Sequence, residues 1–145
     1  MSYDIKAAIP HREPFLLVDE IIEVDGTSVK AATTLRPDDE LWSRVYAGHY
    51  PGNPLTPGVL LLEMLFQAAG VMIAEKLKEN TAAGVPVVTR IQNVKFKNMV
   101  RPGDRVELNA KLTDSLANAY FAKGDIKANG KTVLQAEFTL ALVGQ

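Results

Sequence analysis

Thr56-Pro57-Gly58-Val59-Leu60-Leu61-Leu62-Glu63-Met64-Leu65-Phe66-Gln67-Ala68-Ala69-Gly70-Val71-Met72-Ile73-Ala74 decides how this chain folds. Apolar side chains fill almost every position from Val59 to Ile73 instead of forming one stripe. A helix of that kind is buried on most sides. Thr56 is predicted as its N-cap and Pro57 as its first helical residue. The polar run Glu75-Lys76-Leu77-Lys78-Glu79-Asn80 is its exposed end. The apolar part is short for a bilayer span and contains Glu63 and Gln67, so no membrane crossing is expected.

On the N-terminal side, Gly48 to Gly58 holds three glycines and three prolines. That composition predicts a stiff, irregular loop. Before it, Phe15 to Val24 reads as a strand rich in branched residues. Asp25-Gly26 signals a hairpin turn, Thr27 to Leu35 its second strand, and Arg36 to Glu40 a loop. Beyond Gly84 the pattern is β to the end. Pro86 to Phe96 is a strand with Val94 and Phe96 on the face opposite Lys95 and Lys97. Pro102-Gly103-Asp104 is a turn. Arg105 to Leu112, Asn118 to Ala128 and Thr132 to Val143 are strands, the last two joined by Asn129-Gly130. Two strands, a buried helix and four strands predict an α+β fold, one domain over residues 1–145, with a helix against an antiparallel sheet.

Composition narrows the function. A chain of 145 residues with 47% apolar side chains can bury a real core. The absence of cysteine excludes disulfides, thiolate zinc sites and a cysteine nucleophile. Two histidines, His11 and His49, are too few for a multi-histidine metal centre. A net charge of −1 argues against a nucleic-acid partner. Met1 to Pro10 carries no apolar leader, which makes the cytoplasm the expected location.

Three features could carry chemistry. Glu63 lies two turns into the apolar helix. Burying an ionised carboxylate is costly, so such a group either tends to a raised pKa suited to a general acid or points to solvent or a partner subunit. His49 sits in a loop stiffened by Pro51, Pro54 and Pro57; it is either a fixed base near neutral pH or an ordinary loop histidine. Gly58 and Val59 offer backbone N–H groups at the helix start, either a simple beginning or donors for an oxyanion. Gln67, four residues after Glu63, either orients that carboxyl or meets another subunit. His11, in Pro10-His11-Arg12-Glu13-Pro14, is read as structural.

Three motifs occur in order: Pro10-His11-Arg12-Glu13-Pro14-Phe15-Leu16-Leu17-Val18-Asp19; the run from Gly48 to Gly70; and Val94-Lys95-Phe96-Lys97 followed by Val100-Arg101-Pro102-Gly103-Asp104. In these the chain resembles the FabZ-type 3-hydroxyacyl-acyl-carrier-protein dehydratases, over essentially its whole length. The resemblance implies a hotdog fold, a long central helix wrapped by a curved antiparallel sheet. It implies dimers at least, or a trimer of dimers, with His49 of one subunit facing Glu63 of another. It implies dehydration of (3R)-3-hydroxyacyl thioesters to trans-2-enoyl thioesters in fatty-acid or related acyl-chain synthesis. His49 would be the base, Glu63 the acid, and Gln67 would hold Glu63. Gly58 N–H, with Val59 beside it, would polarise the thioester carbonyl. No metal or redox cofactor is implied; the substrate would arrive on the phosphopantetheine of acyl carrier protein. The chain departs from the family at Glu13, where a bulky residue is usual, and at Val87, Val88 and Arg90, where the family often carries aromatic or small residues.

Residues 90–111 hold six basic side chains (Arg90, Lys95, Lys97, Arg101, Arg105, Lys111) against two acidic ones. Such a patch suits an acidic carrier protein, with Lys95, Lys97, Arg101 and Arg105 as the docking candidates; the alternative is a solvated strand face. Two other functions fit a hotdog fold: a thioesterase, and a non-catalytic acyl-thioester-binding subunit.

Overall fold

The structure, a computed structural model, describes residues 2–80 and 84–144. A short helix α1 (Ile5–Ala8) precedes the hairpin β1 (Glu20–Val24) and β2 (Ser28–Thr34). Helices α2 (Glu40–Gly48) and α3 (Gly58–Lys76) follow, then β3 (Val85–Phe96), β4 (Arg105–Leu116), β5 (Ala119–Ala128) and β6 (Lys131–Val143). The strands form one sheet in the order β1-β2-β4-β5-β6-β3, every neighbouring pair antiparallel. The sheet packs along α3, the hotdog arrangement.

The apolar run of α3 explains why. Met64, Leu65, Ala68, Ala69, Val71, Met72 and Ile73 have no solvent exposure. Each large one contributes roughly 2 kcal/mol relative to exposure. Facing them are Val106 and Leu108 of β4, Ile126 of β5 and Leu134, Phe138 and Leu140 of β6. The helix passes close over β5 at Gly124, where a Cβ would lie 2.8 Å from Asn109 O and 3.0 Å from Leu65 Cδ1. By length and composition α3 is apolar enough to cross a membrane, contrary to the sequence reading of its apolar part as too short. Its apolar surface is instead spent against the sheet.

The hairpin turns form as expected. Asn129 and Gly130 both have positive φ, 53° and 75°, as a type I′ turn demands. Asp25 Oδ1 accepts from the N–H groups of Thr27 and Ser28. Elsewhere the elements differ from expectation, and the strand expected over Arg105 to Leu112 runs on to Leu116. The first strand begins at Glu20, not Phe15, because the backbone of Phe15 and Leu17 bonds to a side chain of α3 instead of a neighbouring strand. Thr56 does not cap α3: its hydroxyl bonds to Tyr46 OH at 2.6 Å, and Pro57 is the N-cap, with no side-chain cap bond. Helix α2 was not expected at all.

Candidate active site

Helix α2 delivers the histidine. Asp39 caps it, Oδ2 accepting from the N–H groups of Leu41 and Trp42. Trp42 and Tyr46 are buried and stack at 6.0 Å. His49 is the C-cap residue, its N–H donating to Val45 O at 2.9 Å. The signal was present: a capping Asp39, then apolar residues at 41, 42, 45 and 46, is helical spacing.

The loop after α2 closes on itself. Leu55 N–H donates to His49 O at 2.9 Å, and His49 Nδ1 lies 3.0 Å from Leu55 O. A carbonyl can only accept, so Nδ1 carries the proton and Nε2 holds the lone pair. The imidazole stacks on Tyr50, centroids 4.4 Å apart. Thr56 N–H donates to Val100 O at 2.9 Å, and Arg101 Nη1 to Asn53 Oδ1 at 2.9 Å, which docks the loop on the segment before β4.

His49 opens on a cleft of about 430 Å³ lined also by Tyr50, Gly58, Val59, Phe96 and Met99. Among the described residues the N–H groups of Gly58 and Val59 donate to nothing, while those of Leu60 and Leu61 turn back to Pro57 O. The Phe96 ring lies so close over Gly58 that a Cβ there would sit 2.6 Å from it. A side chain at position 58 would have to push the Phe96 ring aside.

Glu63 opens on a different cleft, of about 310 Å³, with Ile9, His11, Phe66, Gln67, Gly70, Val87, Val88 and Leu140. Five residues of helix separate Gly58 from Glu63, a rotation of about 140°, so the two face different sides of α3. The carboxyl is less buried than its apolar neighbours suggest: the side chain is 28% exposed.

Gln67 is the anchor. Its Oε1 accepts from Leu17 N–H at 2.8 Å; its Nε2 donates to Phe15 O at 2.8 Å and to Glu63 Oε2 at 3.0 Å. The expected orienting bond to Glu63 is therefore formed. Replacing Gln67 with leucine strands a buried N–H and a carbonyl, and is expected to cost about 2–4 kcal/mol in urea unfolding. An unchanged midpoint would mean that other groups satisfy Phe15 and Leu17.

The structure gives two residues singled out in the sequence close partners. His11, read as structural, stands beside the candidate acid: its Nε2 is 3.6 Å from Glu63 Oε2. Arg105 is not a free docking cation, because Nη2 bonds to Glu20 Oε1 of β1 at 2.6 Å. Lys95 and Lys97 are exposed, flank Phe96 at the rim of the histidine cleft, and make no ion pair among the described residues. No three His, Asp or Glu side chains converge as metal ligands among the described residues.

A central helix in a wrapped antiparallel sheet, with a loop histidine at the helix start and a glutamate two turns along it, opening on separate clefts, places the protein in the hotdog class. The chain belongs to the FabA-like family: the FabA-like domain matches residues 9–137. A 3-hydroxyacyl-acyl-carrier-protein dehydratase FabZ of Fusobacterium nucleatum subsp. nucleatum is 37% identical over 141 residues, covering 96% of this chain and 94% of the relative. The FabZ of Campylobacter jejuni (strain RM1221) is 36% identical with the same coverage. Among solved structures, the dehydratase heterocomplex ApeI:P from Xenorhabdus doucetiae gives a TM-score of 0.84 at 18% identity, over 100% of this chain and 94% of that one. A hypothetical thioesterase with coenzyme A from Streptococcus pneumoniae gives 0.66 at 16% identity, over 97% and 91%. At such identities the structural likeness is one of fold.

Proposed function

We propose that the chain dehydrates (3R)-3-hydroxyacyl thioesters, carried on acyl carrier protein, to trans-2-enoyl thioesters in fatty-acid or related acyl-chain synthesis. The carrying observation is His49, its Nε2 without a partner among the described residues, in one apolar cleft with the amides of Gly58 and Val59, which among those residues donate to nothing. The near full-length relatives supply the substrate class. The thioesterase reading has only likeness of fold behind it.

In the mechanism, the thioester carbonyl sits at the start of α3 and accepts from Gly58 N–H, with Val59 N–H alongside. As negative charge develops on that oxygen the amides stabilise it; one such donor is typically worth about 10²- to 10³-fold in rate. His49 Nε2 removes the proton from the carbon next to the carbonyl, and the Leu55 carbonyl holds the ring and stabilises the imidazolium. Glu63 gives its proton to the 3-hydroxyl, which leaves as water. The chemistry is acid–base throughout and calls for no metal or redox group.

Since His49 and Glu63 open on different clefts, Glu63 of the partner subunit is assigned to the His49 cleft. The surface supports a dimer. Strand β3 is a sheet edge of 12 residues with Val87 and Ile91 exposed, and Val59 and Met99 near it are 72% and 67% exposed. Long apolar edges of this kind are normally covered. A trimer of such dimers is the larger assembly in keeping with the family, and the cytoplasm the location.

Lys95, Lys97 and Arg101 adjoin in sequence the cleft-lining residues Phe96, Asn98 and Val100 and are assigned to carrier docking. Reversing the charge of Lys95 and Lys97 is expected to raise KM about tenfold for a carrier-borne substrate at low salt, an effect that shrinks as salt rises. KM for the coenzyme A thioester should not move; an equal change for both substrates would remove these lysines from docking.

The test of the function is hydration of a crotonyl thioester, the reverse reaction, followed by loss of the enoyl absorbance. Free thiol is measured in parallel. Hydration without thiol release supports the dehydratase. Thiol release without hydration would replace it with the thioesterase.

A further inference from the structure

We infer that His11 is a positioning residue for Glu63 and that Arg12 fixes His11 in place; this rests on the acid role proposed for Glu63. His11 and Glu63 line the same cleft, with His11 Nε2 at 3.6 Å from Glu63 Oε2. His11 Nδ1 is buried with no partner among the described residues. Orphaned buried N–H groups are rarer than orphaned acceptors, so the ring proton belongs on Nε2, aimed at the carboxyl. At 3.6 Å the contact is electrostatic and not yet a hydrogen bond. Catalytic contacts in an empty site are often long and tighten when substrate fills it.

The consequence lies in the two oxygens of Glu63. Gln67 Nε2 already donates to Oε2 at 3.0 Å, and His11 approaches the same atom. Oε1 has no partner among the described residues. A protonated carboxyl has one accepting oxygen and one O–H. Two donors on Oε2 make it the acceptor and leave the proton on Oε1, facing the cleft. Gln67 alone restrains one oxygen but not the rotation of the carboxyl about its last, soft torsion; a second donor restrains that too.

Arg12 supplies the frame. Its Nη1 donates to Ile9 O at 3.0 Å and His11 O at 2.6 Å, and its Nη2 to Lys6 O at 3.0 Å. The planar fork gathers three carbonyls around the turn that carries His11, which an ammonium cannot reproduce.

The experiment compares the wild type with His11→Phe, His11→Gln, Arg12→Lys and Glu63→Gln in the crotonyl hydration assay, with melting temperatures alongside. His11→Phe keeps the volume and loses the donor; it is expected to lower kcat about 10- to 100-fold with KM within about threefold. His11→Gln returns an N–H near the Nε2 position and is expected to recover most of that loss. Arg12→Lys should fall between them. Full activity in His11→Phe, or equal losses in the Phe and Gln variants, overturns the positioning role while leaving the dehydratase reading intact. A wild type that turns over but is indifferent to Glu63→Gln overturns the acid role, and this inference with it.

Discussion

His49→Ala is expected to lower kcat by about 10²- to 10⁴-fold, the range a positioned general base supplies. The size follows from what the ring alone does. In the proposed mechanism Nε2 is the basic nitrogen offered to the substrate, and the Leu55 carbonyl holds the ring in that tautomer. In that mechanism Gly58 and Val59 polarise the carbonyl, and their N–H groups cannot accept a proton. KM should change little, because the ring touches the reacting proton and not the length of the acyl chain. The fold should survive, since His49 caps α2 through its backbone N–H and Leu55 N–H still reaches His49 O. Loss of the side-chain bond to Leu55 costs only about 1 kcal/mol. Turnover within tenfold of the wild type, with an unchanged melting temperature, would remove His49 from the chemistry.

The central helix was legible because apolar residues all round a helix have one outcome, burial. The turn at Asn129-Gly130 was legible because few dipeptides tolerate two positive φ values. Errors fell where side chains bond across long sequence separations. Phe15 and Leu17 look like strand residues locally, yet Gln67, 50 residues beyond Leu17, takes their backbone bonds. Thr56 has the chemistry of a cap, but Tyr46 on the unexpected helix claims its hydroxyl; burial there pushes the Tyr46 pKa above its ordinary value. His49, Gly58, Glu63 and Gln67 could be singled out because they sit on or beside one helix with strong local pattern. His11 could not, because its contact with Glu63 spans 52 positions of sequence and needs the N-terminal segment laid across α3. Arg105 misled for the same reason, its partner being Glu20 on another strand.

Mixing two dead variants should restore activity. His49→Ala and Glu63→Gln each lack one member of the proposed acid–base pair, and each alone is expected to keep about 1% of wild-type activity or less. Within one chain the two groups open on clefts on different sides of α3. If each site takes its histidine from one subunit and its glutamate from the other, a hybrid dimer holds one doubly damaged site and one with both residues intact. Random exchange at equal concentrations makes about half of the dimers hybrid, each with one of its two sites working, so activity should return to about a quarter of the wild type. A site built within a single chain gives no recovery, because every chain in the mixture lacks one residue. The mixture is unfolded together, refolded and assayed, with separately refolded variants mixed afterwards as the control. Recovery in the first and not the second requires subunit exchange. It also excludes residual activity in either variant as the source, since that would survive both procedures equally. The helix that buries its apolar face so completely would then have a second duty: its N-terminus serves the site of its own histidine, while its glutamate completes the site of the neighbour.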